Sequence, residues 1–184
     1  MKSDTAHLQR LTDEQVSARL AAYNPDGSLE RDIQLLLEAA TDIVAEEITA
    51  GFGPERAERF ASNYGGKVDS AWVQGVAEYG REIYLEKTSV PAYMAKRTEI
   101  AGRIAARLID RFSADPDKLR QCVCALHRIG QFETDIILAQ VALLEAIDAA
   151  DARGRQSEEF ERRVADLVRG STEESHNLTD RTRA

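Results

Sequence analysis

No apolar run in this chain approaches the roughly 20 residues a helix needs to cross a bilayer. Residues 1–10 carry neither a hydrophobic signal core nor a small-residue cleavage site, so the expectation is a cytoplasmic domain. A basic excess is missing as well. With 24 Lys and Arg against 32 Asp and Glu, the formal net charge is −8, and nucleic-acid phosphates would find no broad cationic face. Cysteine is scarce: Cys122 and Cys124 are the only two, and at i, i+2 on a helix they point to different faces. A mutual disulfide, a CxxC redox pair and a Cys/His metal set are thereby excluded, and the two read as small core or interface residues. Nucleotide and nucleophile motifs are also lacking. There is no GxGxxG, P-loop, HExxH or GxSxG arrangement, and Gly65-Gly66 lacks the Lys-Ser/Thr pair of a phosphate loop. The adjacent carboxylates Glu46-Glu47 and Glu158-Glu159 read as solvated helix faces, and no enzymatic activity is expected.

What the chain does have is helical periodicity. Apolar residues recur at three and four nearly throughout, and strand-type alternation is absent, so the fold class is all-α. At 184 residues, 43% hydrophobic and 30% charged, the chain suits one globular domain plus an extension. Thr12 with Gln15 forms a capping-box pattern that opens a first helix through Val16, Leu20 and Tyr23, ended by the turn Asn24-Pro25-Asp26-Gly27. A second helix over Ser28 to Ala50 aligns Leu29, Ile33, Leu36, Leu37, Ala40, Ile43, Val44 and Ile48. Pro54 begins a short third helix carrying Phe60, closed by Asn63-Tyr64-Gly65-Gly66. A fourth helix, Lys67 to Glu86, places Val68, Trp72, Val76, Tyr79 and Ile83 on one side. Thr88-Ser89-Val90-Pro91 caps a fifth that reaches Phe112 through Met94, Ile100, Ile104, Leu108 and Ile109, and Asp115-Pro116 repeats the device.

After Pro116 the helical pattern continues to Ala152 through Leu119, Val123, Leu126, Ile129, Phe132, Ile136, Ile137, Val141, Leu144 and Ile147. Leu138 and Leu143 widen this stripe beyond what one neighbour would cover, which predicts a helix touching its own core on one side and a partner on the other. Beyond Gly154 the composition turns polar, yet Phe160, Val164 and Leu167 keep the 4-3 spacing of a coiled-coil seam, continuing weakly through Ser171, Glu174 and Leu178.

Three stretches resemble the last two globin helices of globin-coupled sensors, the family that includes haem-based aerotaxis transducers. They are Val90-Pro91-Ala92-Tyr93-Met94, Leu119 through Ile129 (LRQCVCALHRI) and Glu133-Thr134-Asp135-Ile136-Ile137-Leu138. The resemblance runs from Tyr84 to Ala150 and extends to Leu29–Ile48 as an early globin helix. It implies a dimer in which the last two globin helices form an antiparallel four-helix bundle, with the final helix leading into an output module such as a methyl-accepting chemotaxis coil. The chain departs from the family at the haem ligands. The family's proximal-histidine position falls on Tyr84, or on Ile104 in a second register, and its distal tyrosine falls near Ile48. His7 and His176 read as solvated tail residues and His127 as an interface or core residue.

The expectation is therefore a haem-free, globin-like sensory and dimerisation domain of a chemoreceptor-type signal-transduction protein. Its divisions are residues 1–27 as N-terminal helix and turn, 28–152 as the globin-like domain and 153–184 as the start of a signalling coil. No metal and no cofactor are assigned. A small-molecule ligand would sit near Trp72, Tyr79, Tyr84, Tyr93 and Met94. A second copy would pack on Leu119, Val123, Leu126, Ile129, Ile136, Ile137, Val141 and Leu144, and a downstream signalling module on the same chain would receive the output. Two alternatives stand beside it: a haem-binding oxygen or redox sensor ligated through Tyr84 or His127, and a dimerisation scaffold without any ligand.

Overall fold

The computed structural model describes residues 10–183, with side chains through Thr172. His7 lies outside the described residues, as do the side chains of Glu174, His176 and Leu178. Six helices and no strand occur among the described residues: α1 (Asp13–Tyr23), α2 (Ser28–Phe52), α3 (Pro54–Tyr64), α4 (Ser70–Leu85), α5 (Val90–Arg111) and α6 (Pro116–Arg183). By internal contacts the chain divides into Met1–Leu144 and Glu145–Ala184. The helix α1 lies within the first unit.

Local sequence accounts for most helix ends. The Thr12–Gln15 capping box is formed reciprocally, with the Gln15 backbone N–H donating to the Thr12 hydroxyl at 3.3 Å and the Thr12 backbone N–H donating to the Gln15 side-chain Oε1 at 2.9 Å. The Asp69 carboxylate accepts from the backbone N–H groups of Ala71 and Trp72, and Asp115 accepts from that of Lys118 at 3.0 Å. Pro54 stands in the first turn of α3, where its missing N–H costs nothing, and Gly53 at φ 91° makes the corner between α2 and α3.

Within the first unit, an antiparallel zipper holds α5 on α2. Arg103 donates from Nε to Glu47 at 2.7 Å, Arg107 from Nη2 to Glu46 at 2.8 Å, and Arg111 from Nη1 to Asp42 at 2.7 Å. Four-residue spacing of the arginines puts them on one face of α5, and Glu46-Glu47 is one side of this ladder rather than a free solvated face. The helix axis of α2 breaks at Ala40, whose φ/ψ is −156°/31°, and Arg111 donates to the neighbouring Ala39 carbonyl at 3.3 Å. At the far end of the zipper the two helices approach so closely that a Cβ at Gly51 would lie 2.2 Å from Ile100 Cδ1. The ladder therefore sets the register that turns Tyr93, Arg97, Ile100 and Ile104 toward α2.

The first-unit part of α6 is wrapped on several sides. Arg19 of α1 pairs with Asp135 at 2.8 Å, Arg128 reaches Asp32 and Ser28 of α2, and the backbone of α4 at Gly80 comes within reach of the Ile137 carbonyl. Phe132, Ile136 and Ile137 are fully buried as a result. This corrects the expectation drawn from the width of the stripe. Ile129, Ile136, Ile137, Val141 and Leu144 lie inside the chain's own core and present no surface to a second copy, because α1, α2 and α4 cover the helix. Leu119 and Leu126 are half-buried against the same core, and Val123 is exposed. Cys122 is buried and Cys124 exposed, as their spacing requires.

The second unit is the remainder of α6. Phe160, Val164, Leu167 and Val168 are exposed there, with Phe160 and Leu167 at 67% and 74%. A seam of large apolar side chains on a lone helix surrounds itself with water at a cost of about 25 cal/mol per Å².

Candidate functional site

A cavity of about 110 Å³ lies within the first unit, where α2, α3, α4, α5 and α6 converge. Its apolar wall comes from Leu36, Val44, Ile48 and Phe52 of α2, Ile100 and Ile104 of α5, and Leu126 and Ile129 of α6. Five polar side chains complete it: Arg56, Tyr79, Tyr93, Arg97 and Glu133. An engineered apolar cavity of about 150 Å³ takes benzene, so this smaller space suits a molecule of at most about six non-hydrogen atoms.

The polar groups form two connected sets. In the first, Glu133, only 8% exposed, accepts from the Tyr64 hydroxyl and, at 2.5 Å, from Arg97 Nη2. Burial pushes the Tyr64 hydroxyl pKa well above its ordinary value, and the adjacent Glu133 charge pushes it further in the same direction. For Arg97 burial works against the charge, but the Glu133 carboxylate outweighs it and the guanidinium stays firmly protonated. In the second set, Arg56 donates to Glu82 at 2.6 Å and to the Tyr93 hydroxyl at 2.5 Å while lying 3.9 Å over the Tyr79 ring. Arg59 also binds Glu82. Phe52 packs against Tyr93 with ring centroids 5.3 Å apart.

Tyr79 is the exception among these groups. It is 4% exposed and lines the cavity, yet its hydroxyl has no hydrogen-bond partner among the described residues. A buried hydroxyl left this way costs about 1–3 kcal/mol. Burial, followed by the Glu133 charge, raises its pKa, so it is a protonated donor at neutral pH.

Of the five residues proposed from sequence to surround a ligand, the structure brings Tyr79 and Tyr93 to the cavity and leaves three elsewhere. Trp72 stacks on Phe132 and meets Tyr64 edge-on, within the core. Tyr84 and Met94, both half-buried, are not part of the lining. Arg56, Arg97 and Glu133 were not anticipated. Their signal was present: Arg97 occupies the same 4-3-4 stripe as Tyr93, Ile100 and Ile104, and Glu133 sits between Ile129 and Ile136, so each places a charge where the helix turns inward.

Neither a histidine nor Tyr84 contributes to the lining, and His127 is exposed. No group of three or more His, Cys, Asp or Glu suited to a metal ion occurs among the described residues. Comparison with models of protein families, with curated proteins and with solved structures found no match.

Proposed function

We propose that this chain is a haem-free, globin-like sensory domain: its first unit binds a small organic molecule, and its second unit pairs with a second copy to pass the signal on. The observation that carries the reading is the cavity with the unpaired, buried Tyr79 hydroxyl on its wall. An unmade buried hydrogen bond costs stability, and unlike the unpaired Trp72 Nε1 in the core this hydroxyl borders a cavity. A ligand that completes the bond explains its presence.

Support for coupling comes from α6. The same helix lends Leu126, Ile129, Gly130 and Glu133 to the cavity and, in the second unit, carries Phe160, Val164 and Leu167 at seam spacing. A ligand that favours one of two packings around Glu133 would bias α6, since packed helix interfaces switch between discrete arrangements. The downstream module in this reading is a signalling coil of the chemoreceptor type, on the same chain.

The test uses the full chain carrying Leu167→Cys in a Cys124→Ser background. Mild oxidation should cross-link two copies through residue 167, and 1-butanol or butyrate should change the cross-linking rate. Chains that stay unlinked contradict the pairing. A rate that neither compound alters leaves a scaffold rather than a sensor.

A further inference from the structure

The chemistry of the cavity wall also specifies what kind of molecule it takes, on the premise that it is a ligand site at all. Its hydrogen-bonding capacity is unbalanced toward donors. A guanidinium has five N–H groups and no acceptor. Arg97 commits one bond to Glu133, and Arg56 commits one to Glu82 and one to Tyr93. Tyr79 adds an uncommitted hydroxyl. The one carboxylate on the wall, Glu133, already accepts from Tyr64 and Arg97.

Charge points the same way. On the wall itself two guanidiniums, Arg56 and Arg97, stand beside one carboxylate, Glu133, while Glu82, outside the lining, pairs with Arg56. Lys96, 5.4 Å from the Phe52 ring, adds another cation at the side. Around this donor-rich region the wall is aliphatic, from Leu36, Val44, Ile48, Ile100, Ile104 and Ile129. A neutral alkane would leave the donors idle, and an ammonium would meet cations. A carboxylate accepts several hydrogen bonds at once, and bonds to a charged partner are about twice as strong as neutral ones.

We propose that the cavity binds a short-chain aliphatic monocarboxylate of up to about four carbons, its tail against the isoleucines and its carboxylate accepting from the Tyr79 hydroxyl and the Arg56 and Arg97 guanidiniums. Volume sets the upper limit: a long-chain fatty acid exceeds about 110 Å³ several-fold. The unpaired hydroxyl and the two guanidiniums on the wall are then parts of one anion site.

Isothermal titration of the full chain with butyrate, 1-butanol and 1-butylammonium decides it, because the three share a four-carbon chain and differ in the head group. Butyrate should bind at least about tenfold more tightly than 1-butanol, the factor one charge-assisted hydrogen bond supplies, and 1-butylammonium should not bind. Tyr79→Phe should weaken butyrate by roughly tenfold and leave 1-butanol within about twofold. Equal binding of butyrate and 1-butanol would overturn the anion while leaving a ligand site in place. Unchanged butyrate affinity in Tyr79→Phe would overturn the part given to its hydroxyl. Absence of binding by all three would overturn both the anion and the ligand-site reading.

Discussion

Glu133 and Tyr79 sit a helix apart on the same cavity wall and should respond to substitution in opposite ways. Glu133→Gln leaves the half-buried Arg97 guanidinium without its counter-charge, and breaking a buried pair from one side costs roughly 3–5 kcal/mol. Tyr79→Phe removes a hydroxyl that bonds to nothing among the described residues, so stability should stay within about 1 kcal/mol of the parent or rise. Urea unfolding midpoints of the two variants separate the cases. Glycines give a second contrast. A Cβ at Gly80 would lie 2.5 Å from the Ile137 carbonyl oxygen, backbone against backbone, so Gly80→Ala should destabilise by roughly 1–3 kcal/mol. At Gly102 nothing stands within 4 Å of that position, and Gly102→Ala should gain about 0.5–1 kcal/mol from helix propensity alone. Thermal midpoints moving the same way in both variants would refute the close approach of α4 to α6.

Among elements, the α2–α5 zipper determines what faces the cavity. Arg111 holds the Asp42 carboxyl well below the usual carboxylate range, and Arg103 does the same for Glu47. Groups with depressed pKa values contribute stability above their unfolded values, about 3.8 for Asp42 and 4.5 for Glu47, and lose it as pH falls through the folded ones. Lowering the pH from 6 to 3 should therefore weaken the chain, and the decline should shrink when Arg103, Arg107 and Arg111 are all changed to Gln. The Arg107–Glu46 and Arg111–Asp42 pairs are exposed, so their share of the difference at pH 7 should be small. An identical pH decline in the triple variant would show that the zipper contributes nothing. Much of this level was legible in sequence: Thr12–Gln15, Pro54 and Asp115-Pro116 all mark helix starts, whereas the Asp69 cap of α4 is passed over by a reading that starts that helix at Lys67. The partner of each stripe was not. A 3.6-residue period says that a face is buried and is silent about what buries it, which is why Ile136 and Ile137 read as a surface between copies and turned out to be covered by α1, α2 and α4. Tyr79 and Tyr93 could be found by side-chain size, whereas Arg97 and Glu133 required noticing a charge on an apolar stripe.

On the scale of the whole molecule, two features call for partners: a donor-rich cavity in the first unit and an exposed apolar seam in the second. Pairing of two copies through Phe160, Val164 and Leu167 should give a dimer in sedimentation equilibrium. Phe160→Glu with Leu167→Glu should give a monomer whose unfolding midpoint is unchanged, because both side chains are exposed within the chain. A dimer that survives both changes would put the contact elsewhere, with Val123 and Leu138 on the exposed side of α6 in the first unit as the next surface. The central claim, that the cavity is where a signal enters, is tested most directly by isoleucine-methyl NMR spectra of the full chain titrated with butyrate. Ile48, Ile100, Ile104 and Ile129 line the cavity, while Ile33 and Ile43 are buried away from it. The account predicts saturable shifts at the four lining methyls, little change at the other two, and loss of the effect in Ala101→Leu, a change at another residue of the cavity wall. Shifts spread evenly over all six, or none at all, would contradict it.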